Sequence, residues 1–495
     1  MLFNSYEFIF FFLPITFFIY FYLNRKRLTE ASKGFLVFAS LFFYSWWNIN
    51  YLPLILVSML VNYVIGRELS RHAQLKRVYS PKRLLTAGII FNLGLLGYFK
   101  YMDFFIENVN RVVHTQIPLL HLALPLAISF FTFQQIAYLV DSYRGETKEY
   151  DFLNYALFVT FFPQLIAGPI VHHSEMMPQF AKLRNKVKNY YNIALGLFIF
   201  SMGLFKKVVI ADTFAQWATQ GFDVAKELNM LEAWVTSLSY TFQLYFDFSG
   251  YTDMAIGAAL LFNIKLPINF FSPYKATSIQ DFWRRWHITL SRFLKEYLYI
   301  PLGGNRKGKV RTYFNLFLTF LLGGIWHGAG WTFVVWGALH GGALVIHRLW
   351  QQMGLRMPKL LGWFITFNFI NVAWVFFRAN SFHDAKKVLV GMFRIPENSF
   401  LSQIVVLHDN KNPIAQYFYL NSNGYSHFIS LFSIEMIIIC FILVLWTKNS
   451  MQLAEKFDRL RVIPWYLYLF SVFLLGISLL VMSIQKGSEF LYFNF

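Results

Sequence analysis

Two histidines are candidate catalytic residues because each lies among residues that are costly to place in or near lipid. His327 follows Trp326 in an apolar, glycine-rich segment, and His287 ends a basic, tryptophan-rich run. Ionisable groups at membrane depth are rare and are functional candidates by default. An apolar environment favours the neutral imidazole, which is the form that a general base needs to activate a hydroxyl. His327 taken alone is also compatible with a structural histidine that donates to a helix carbonyl.

The run around His287 offers a possible wall for such a site. If the run is helical, His287 shares a face with Trp283 and Arg284 on one side and with Ser291 on the other. This spacing predicts a polar wall with an aromatic floor, and Arg285 adds a second positive charge. An amphipathic interfacial helix anchored by Trp and Arg explains the same pattern.

A glycine-rich basic turn follows, with Asn305, Arg306 and Lys307 at its centre. Free backbone amides and positive charges suit a phosphate group, but the turn lacks the Gly-Lys-Ser/Thr ending of a nucleotide P-loop. The turn is compatible with the phosphates of an acyl carrier such as coenzyme A. A loop whose charges fix the membrane topology is the alternative.

Polar residues within apolar segments form a third group. Gln134 and Asp247 lie in predicted spans, so each needs a partner or water inside the bundle. Asp247 fits either a polar seam toward a reaction chamber or a structural pair with an arginine. No histidine spacing matches a known metal motif, and Cys440 is the single cysteine, so no metal site is predicted. A Gly-x-Ser-x-Gly elbow is also absent from the sequence.

Composition places these residues in a membrane. Of 495 residues, 57% are hydrophobic and only 14% are charged, against about 25% charged in a soluble domain. The formal charge of +19 comes from basic residues in short loops between apolar runs. That placement follows the positive-inside rule and does not favour nucleic acid. We therefore predict an all-α polytopic membrane protein.

Apolar runs predict about 11–13 transmembrane or re-entrant helices. Leu119–Val140 is one span, and prolines break Phe152–Val171. Leu231–Phe262 is either two pieces or one helix lining a polar cavity, and Tyr313–His347 is two helices broken near residues 328–330. Residues 378–425 form a polar loop region. The inside–outside order is open after Val171.

Several long motifs, taken in order, resemble the membrane-bound O-acyltransferases, and more closely the branch that contains the membrane subunit of bacterial alginate O-acetylation. The resemblance covers nearly the whole chain. The motifs are Leu124–Gln134, Phe161–Ile170, Pro273–His287, Tyr299–Asn305, Gly324–Gly328, Trp374–Ala379 and Phe490–Phe493.

The resemblance implies one membrane-embedded domain over residues 1–495, with core motifs in 124–347 and a ring of helices around a central tunnel. It implies His327 as general base or transient acyl acceptor and His287 as its assistant. The donor would be cytoplasmic acetyl-CoA, with no bound cofactor. The implied partner is a periplasmic protein of the serine–glycine–asparagine–histidine hydrolase type, and the implied location is the bacterial inner membrane. Candidate donor- or substrate-binding residues are Trp283, Arg284, Arg285, Ser291, Asn305, Arg306, Lys307, Trp326, Gln134 and Asp247.

Other functions stay open at this point. A D-alanyl transferase for teichoic acid would draw its acyl group from a carrier protein. A transporter or flippase would move a carrier without making bonds. The acceptor also stays open among alginate, peptidoglycan and other exopolysaccharides.

Overall fold

The chain folds into helices over the residues that the computed structural model describes, with no strand among them. These residues are 1–72, 80–147, 151–166, 168–395, 431–460, 464–484 and 490–491. The α-helices are α1 (Leu13–Arg25), α2 (Thr29–Ser45), α3 (Leu52–His72), α4 (Pro81–Leu96), α5 (Met102–Val113), α6 (Ile128–Arg144), α7 (Phe152–Thr160), α8 (Phe162–Leu165), α9 (His173–Ala181), α10 (Tyr190–Phe205), α11 (Asp212–Thr219), α12 (Met230–Leu261), α13 (Ile279–Trp283), α14 (Ile288–Phe293), α15 (Lys309–His327), α16 (Trp331–Gln352), α17 (Lys359–Arg378), α18 (Phe382–Gly391), α19 (Leu431–Trp446), α20 (Ser450–Leu460) and α21 (Trp465–Ile484). The prediction of an all-α protein is confirmed.

Seven helical runs of the described residues are long and apolar enough to cross a membrane. They are Glu7–Arg25, Ile49–Arg71, Pro81–Val113, Tyr190–Val224, Lys359–Arg378, Leu431–Asp458 and Trp465–Ile484. The chain is therefore a multi-pass membrane protein. The predicted 11–13 elements also included shorter or more polar helices, such as α2, α6 and α15.

Two antiparallel helices, α10 and α12, form a closely packed pair in the bundle. A Cβ atom added at Gly203 would lie 2.5 Å from the carbonyl oxygen of Gly250. One added at Gly257 would lie 2.6 Å from the carbonyl oxygen of Gly196. Small residues at such crossings let two backbones approach closely, which is how helices associate when lipid surrounds them.

Helix α12 is one unbroken helix of 32 residues. Of the two alternatives, the division into two pieces is wrong, and the single helix that lines a cavity, through Gln243, is confirmed. Its two aspartates are neutralised by lysines within the bundle: Lys206 lies 2.6 Å from Asp253, and Lys207 pairs with Asp247. The Lys207 ammonium, fully buried, lies 2.7 Å from the carboxylates of both Asp212 and Asp247. Asp247 thus forms a structural ion pair, and its partner is a lysine rather than an arginine. Such a pair keeps a charged residue inside a helix without a break in the backbone.

The helix α6 begins nine residues later than predicted, at Ile128 rather than at Leu119. Pro125 lies just before it, and Ala127 adopts a left-handed backbone with φ of 59°. A proline disfavours helical backbone at the residue before it, which explains why the helix cannot extend back toward Leu119. Of the predicted polar loop region, residues 396–425 lie outside the described residues.

The predicted break between two helices near residues 328–330 is confirmed. Helix α15 ends at His327 and α16 begins at Trp331. Gly328 lies between them in an extended conformation, and a Cβ atom there would lie 2.2 Å from the Phe333 ring. The glycine therefore allows the chain to reverse directly after His327.

The α10–α12 crossing generates a stability prediction. Gly203→Ala should lower the apparent melting temperature of the detergent-solubilised protein by several degrees, because the new methyl group must push α12 away. Overpacking of this kind costs about 1–3 kcal/mol. Gly476→Ala on α21 is the matched control, since its Cβ atom would meet nothing within 4 Å. Equal melting temperatures for the two variants would contradict the close crossing.

Candidate active site

His327 is the last residue of α15 and is buried in an aromatic surround. Its ring packs edge-on against three others, with centroid distances of 4.9 Å to Trp326, 5.0 Å to Trp336 and 5.2 Å to Phe377. Aromatic rings on three sides limit the directions that the imidazole can face. They also exclude water, which strengthens any electrostatic interaction inside the site.

A cavity of about 730 Å³ begins beside His327. It is lined by Gly328, the next residue in the chain, and by Phe377, which contacts the imidazole. We call this cavity the chamber. Its polar lining residues are Lys100, Asp103, Thr219, Asp223, Gln243, Thr332, Arg378 and Asn380.

The chamber lies at one end of the bundle, opposite the basic loops. Helix α15 starts at Lys309 beside the basic turn and reaches His327 after 19 residues, about 28 Å at 1.5 Å per residue. Helix α17 likewise starts at Lys359 and ends at Arg378, which lines the chamber. We call the end with the basic loops the basic end and the other the chamber end.

The structure places His287 in a turn, not on a helix. Helix α13 ends at Trp283 and α14 begins at Ile288, and His287 between them has a left-handed backbone with φ of 42° and ψ of 54°. The predicted helical face that His287 shares with Trp283 and Ser291 is therefore wrong. A left-handed conformation costs an L-residue about 1–2 kcal/mol and persists where the surroundings fix it.

Asn269 is the residue that fixes this turn. Its backbone oxygen accepts the Ile288 N–H at 2.9 Å. Its side-chain Oδ1 accepts the Thr289 N–H at 3.2 Å and the Thr289 hydroxyl at 2.9 Å. The same Oδ1 lies 3.1 Å from His287 Nδ1. One fully buried asparagine thus holds both the backbone and the imidazole of the turn.

These contacts determine the tautomer of His287. A backbone N–H can only donate, so the Asn269 atom that accepts from Thr289 must be the oxygen. His287 therefore donates its Nδ1 proton to that oxygen, and in the neutral ring the basic lone pair is at Nε2. The ring also packs edge-on against Phe248 at 4.8 Å. His287 is thus prepared to accept a proton at Nε2.

A third histidine, His340 on α16, has the opposite arrangement. The Trp283 Nε1–H, which can only donate, lies 3.2 Å from His340 Nδ1. In the neutral ring the proton of His340 is then on Nε2. The Trp336 ring lies between two of the histidines, 4.6 Å from His340 and 5.0 Å from His327. Trp283 therefore supports the wall of the site through His340.

The two histidines that the sequence singles out, His327 and His287, lie near each other in the structure, and His340 joins them although the sequence does not single it out. His287 and His340 both lie within electrostatic range of His327, although they are 40 residues before it and 13 after it. Both are fully buried. Among the described residues, no group of three or more His, Cys, Asp or Glu side chains could hold a metal ion.

Other predicted site residues lie away from this cluster or have structural contacts. Gln134 donates to the Phe158 carbonyl at 2.8 Å, and Arg285 is bonded to Asp281 at 2.8 Å. Ser291 is half-buried on α14. Arg284 is exposed, as are the three residues of the basic turn, Asn305, Arg306 and Lys307.

Sequence reasoning missed Lys100, Tyr101 and Asn269. Lys100 and Tyr101 bond the carbonyl end of α15 next to His327. Lys100 had a usable signal, because it is an ionisable residue within an apolar run. Asn269 had none, since its role depends on a backbone turn 18 residues later in the chain.

Comparison with known proteins finds relatives over most or all of the chain. Residues 41–383 match the membrane-bound O-acyltransferase family. The chain is 51% identical to a peptidoglycan O-acetyltransferase of Helicobacter pylori, over 100% of this chain and 98% of that protein. It is 42% identical to a Pseudomonas aeruginosa protein named "Probable alginate O-acetylase", over 79% of this chain and 75% of that protein.

A more distant relative covers a smaller part of the chain. A teichoic acid D-alanyltransferase of Streptococcus thermophilus is 28% identical over 51% of this chain and 68% of that protein. The match to the family model includes His287, His327 and His340 and most of the chamber. The chain belongs to the membrane-bound O-acyltransferase family.

Proposed function

We propose that the protein transfers acetyl groups from acetyl-CoA to an extracytoplasmic polysaccharide, with His327 as the central catalytic residue. The observation that carries the proposal is the position of His327, buried at the end of α15 where the chamber begins. The acetyl group is supported by the two similar proteins whose names specify O-acetylation. Membership of an acyltransferase family removes the transporter alternative.

The proposed reaction needs one proton shuttle. A neutral imidazole takes the proton of the acceptor hydroxyl while the oxygen attacks the thioester carbonyl carbon. The carbonyl π electrons move to its oxygen, which gives a tetrahedral oxyanion. Collapse breaks the carbon–sulfur bond, and the leaving thiolate takes the proton from the imidazolium. The products are an acetyl ester and free CoA.

His327 and His287 have different parts in this proposal. His327 is nearer the chamber, since Gly328 and Phe377 both line it, and it acts on the acceptor hydroxyl or briefly carries the acyl group. His287 assists by relaying or orienting a proton through Nε2, because its Nδ1 proton is committed to Asn269. Histidine supports both roles near neutral pH.

The chamber fits an acceptor that is rich in hydroxyl groups. Arg378 bonds Asp223, and Asn380 lies 3.4 Å from the same carboxylate, so one wall carries planar polar groups. Gln243 lines the chamber, and its buried Oε1 has no hydrogen-bond partner among the described residues. Planar polar side chains beside the Phe377 ring suit a sugar or a serine hydroxyl presented by a partner protein.

The donor would approach from the basic end. A column of packed rings leads from Tyr297, which precedes the basic turn in the chain, to Trp326 beside His327: Tyr297 to Phe293 at 4.8 Å, Phe293 to Phe133 at 4.1 Å, and Phe133 to Trp326 at 4.6 Å. The column spans part of the way between the basic end and His327. Such a column is a rigid apolar wall along which a pantetheine arm could lie. The exposed charges of the basic turn would meet the CoA phosphates.

The proposed location follows from the charge distribution. The basic loops would face the cytoplasm of a bacterial cell, and the chamber end would face the periplasm. A separate periplasmic protein of the serine–glycine–asparagine–histidine hydrolase type would then complete the transfer to the sugar. The similar proteins named for peptidoglycan and alginate leave the identity of the polymer to experiment.

We predict that His327→Ala abolishes donor turnover. Loss of a general base costs about 10²–10⁴-fold in rate. The measurement is release of free CoA from acetyl-CoA, labelled in the acetyl group, by purified protein in nanodiscs. His121→Ala, in an exposed segment, is the matched control and should leave turnover unchanged.

The same assay tests the donor. Turnover by the wild type that is lost in His327→Ala would support acetyl-CoA and His327 together. Turnover in His327→Ala at the wild-type rate would refute the catalytic role of His327. Failure of the wild type, even with membranes that supply partners, would refute acetyl-CoA as donor and favour an acylated carrier protein.

We predict that Asn269→Leu lowers kcat by about tenfold or more, because the imidazole of His287 loses the group that sets its tautomer. Asn269→Asp should retain more activity than Asn269→Leu. Its carboxylate can accept the same three bonds, and the Nδ2 that it replaces has no partner among the described residues. The measurement is CoA release at saturating acetyl-CoA. Equal activities of the two variants would contradict the assignment of the proton to Nδ1.

A further inference from the structure

The carbonyl end of α15 is capped from outside its own helix. The last four carbonyls of any helix lack partners within the helix. Many helices end with a left-handed residue whose following N–H groups satisfy those carbonyls. The chain here instead leaves α15 extended at Gly328, with φ of −160° and ψ of 151°. The end that carries His327 therefore depends on donors from elsewhere in the fold.

Two neighbouring residues before α5 supply those donors. Lys100 Nζ donates to the carbonyl oxygen of Trp326 at 2.7 Å and to that of His327 at 3.1 Å. The Tyr101 hydroxyl donates to the carbonyl oxygen of Ile325 at 2.8 Å. Lys100 is also 3.2 Å from the Ser129 hydroxyl on α6. The last three carbonyls of α15 are thus held by two adjacent side chains.

A π-helical turn before α5 allows Lys100 and Tyr101, although adjacent in the chain, to bond the same end of α15. Residues Gly97–Tyr101 form a π-helical turn between α4 and α5. Neighbouring residues of a regular α-helix point about 100° apart. A π turn interrupts that spacing, and such turns occur frequently at functional sites. Here the turn allows Lys100 and Tyr101 to bond the same helix end.

Placing Lys100 here costs free energy, so a packing role alone does not explain why a lysine occupies this position. Lys100 lies within the apolar run Pro81–Val113, where a basic side chain is expensive. Among the described residues no carboxylate lies within 4.0 Å of it, so its partners are the helix carbonyls and one hydroxyl. The negative end of the α15 dipole favours a cation there. Lys100 also lines the chamber, where a reacting group would lie.

We propose that Lys100 is a positioning residue for the transfer reaction, because it holds the carbonyl end of α15 and so fixes where His327 meets the chamber. The proposal rests on the proposed function of His327. A displacement of about 1 Å in such a residue can cost about 100-fold in rate. The loss would appear in kcat, because the donor itself need not contact Lys100. Tyr101 supports the same end through its hydroxyl.

The experiment compares four variants in the CoA-release assay. Lys100→Met removes the cap, Lys100→Arg keeps a charged donor, and Tyr101→Phe removes only the hydroxyl. Lys82→Met is the matched control, since Lys82 is exposed on α4 of the same helical run. A second readout is the rate at which diethyl pyrocarbonate modifies His327, followed by mass spectrometry. It reports the exposure of the imidazole without any turnover.

The expected result is a kcat for Lys100→Met about 100-fold below wild type, with a KM for acetyl-CoA close to the wild-type value. Lys100→Arg should recover part of the loss, Tyr101→Phe should lose less than Lys100→Met, and Lys82→Met should match the wild type. The modification rate of His327 should change in Lys100→Met and not in Lys82→Met.

Other outcomes would overturn the proposal. Wild-type kcat in Lys100→Met would do so. If Lys100→Met does not fold, the other two variants decide. The proposal is then overturned if Tyr101→Phe and Lys100→Arg both keep the wild-type kcat and the wild-type rate of His327 modification. If the wild type does not release CoA at all, the proposed donor fails. The modification rates still decide whether Lys100 positions His327.

Discussion

A polar group inside this bundle must find its partner within the bundle, because lipid offers none. Lys207 satisfies this rule with two carboxylates at 2.7 Å, and Asn269 satisfies it with three donors on a single oxygen. Lys100 satisfies it with two helix carbonyls. The shape of the site follows from the need of these buried polar groups for hydrogen-bonding partners. Each polar residue fixes the backbone that it bonds, and the histidines are carried on those fixed backbones.

In our proposal the two ends of the bundle bind different substrates. The basic end meets the donor, and the chamber end meets the acceptor, while His327 lies at the end of a helix about 28 Å long that joins them. The aromatic column from Tyr297 to Trp326 spans part of the way between the two ends. In the proposal, the acetyl group leaves its thioester at the site and becomes an ester, so the whole donor need not cross the membrane.

The three histidines of the site show how different surroundings give identical side chains different hydrogen-bonding states. His287 has a donor bond at Nδ1 to Asn269, and His340 accepts at Nδ1 from Trp283. Their lone pairs are therefore on opposite nitrogens. Only the partner differs, and each partner has a fixed hydrogen-bonding character. The Trp336 ring packs against both His327 and His340, so these two histidines share one aromatic neighbour.

Sequence alone determined the all-α membrane class and the break after His327, because hydropathy and glycine act locally. It also singled out His327 and His287 as candidates, because polar residues are costly in an apolar segment. Tertiary structure alone decided the left-handed turn at His287, the pairing of Asp247 with Lys207 and the capping of α15 by Lys100. Each of these joins residues from different parts of the chain. Helical periodicity describes only neighbours three or four residues apart, so it placed His287 on a helical face that does not exist. The partner of a buried polar atom is fixed by the packing of distant elements, and only the folded chain brings those elements together.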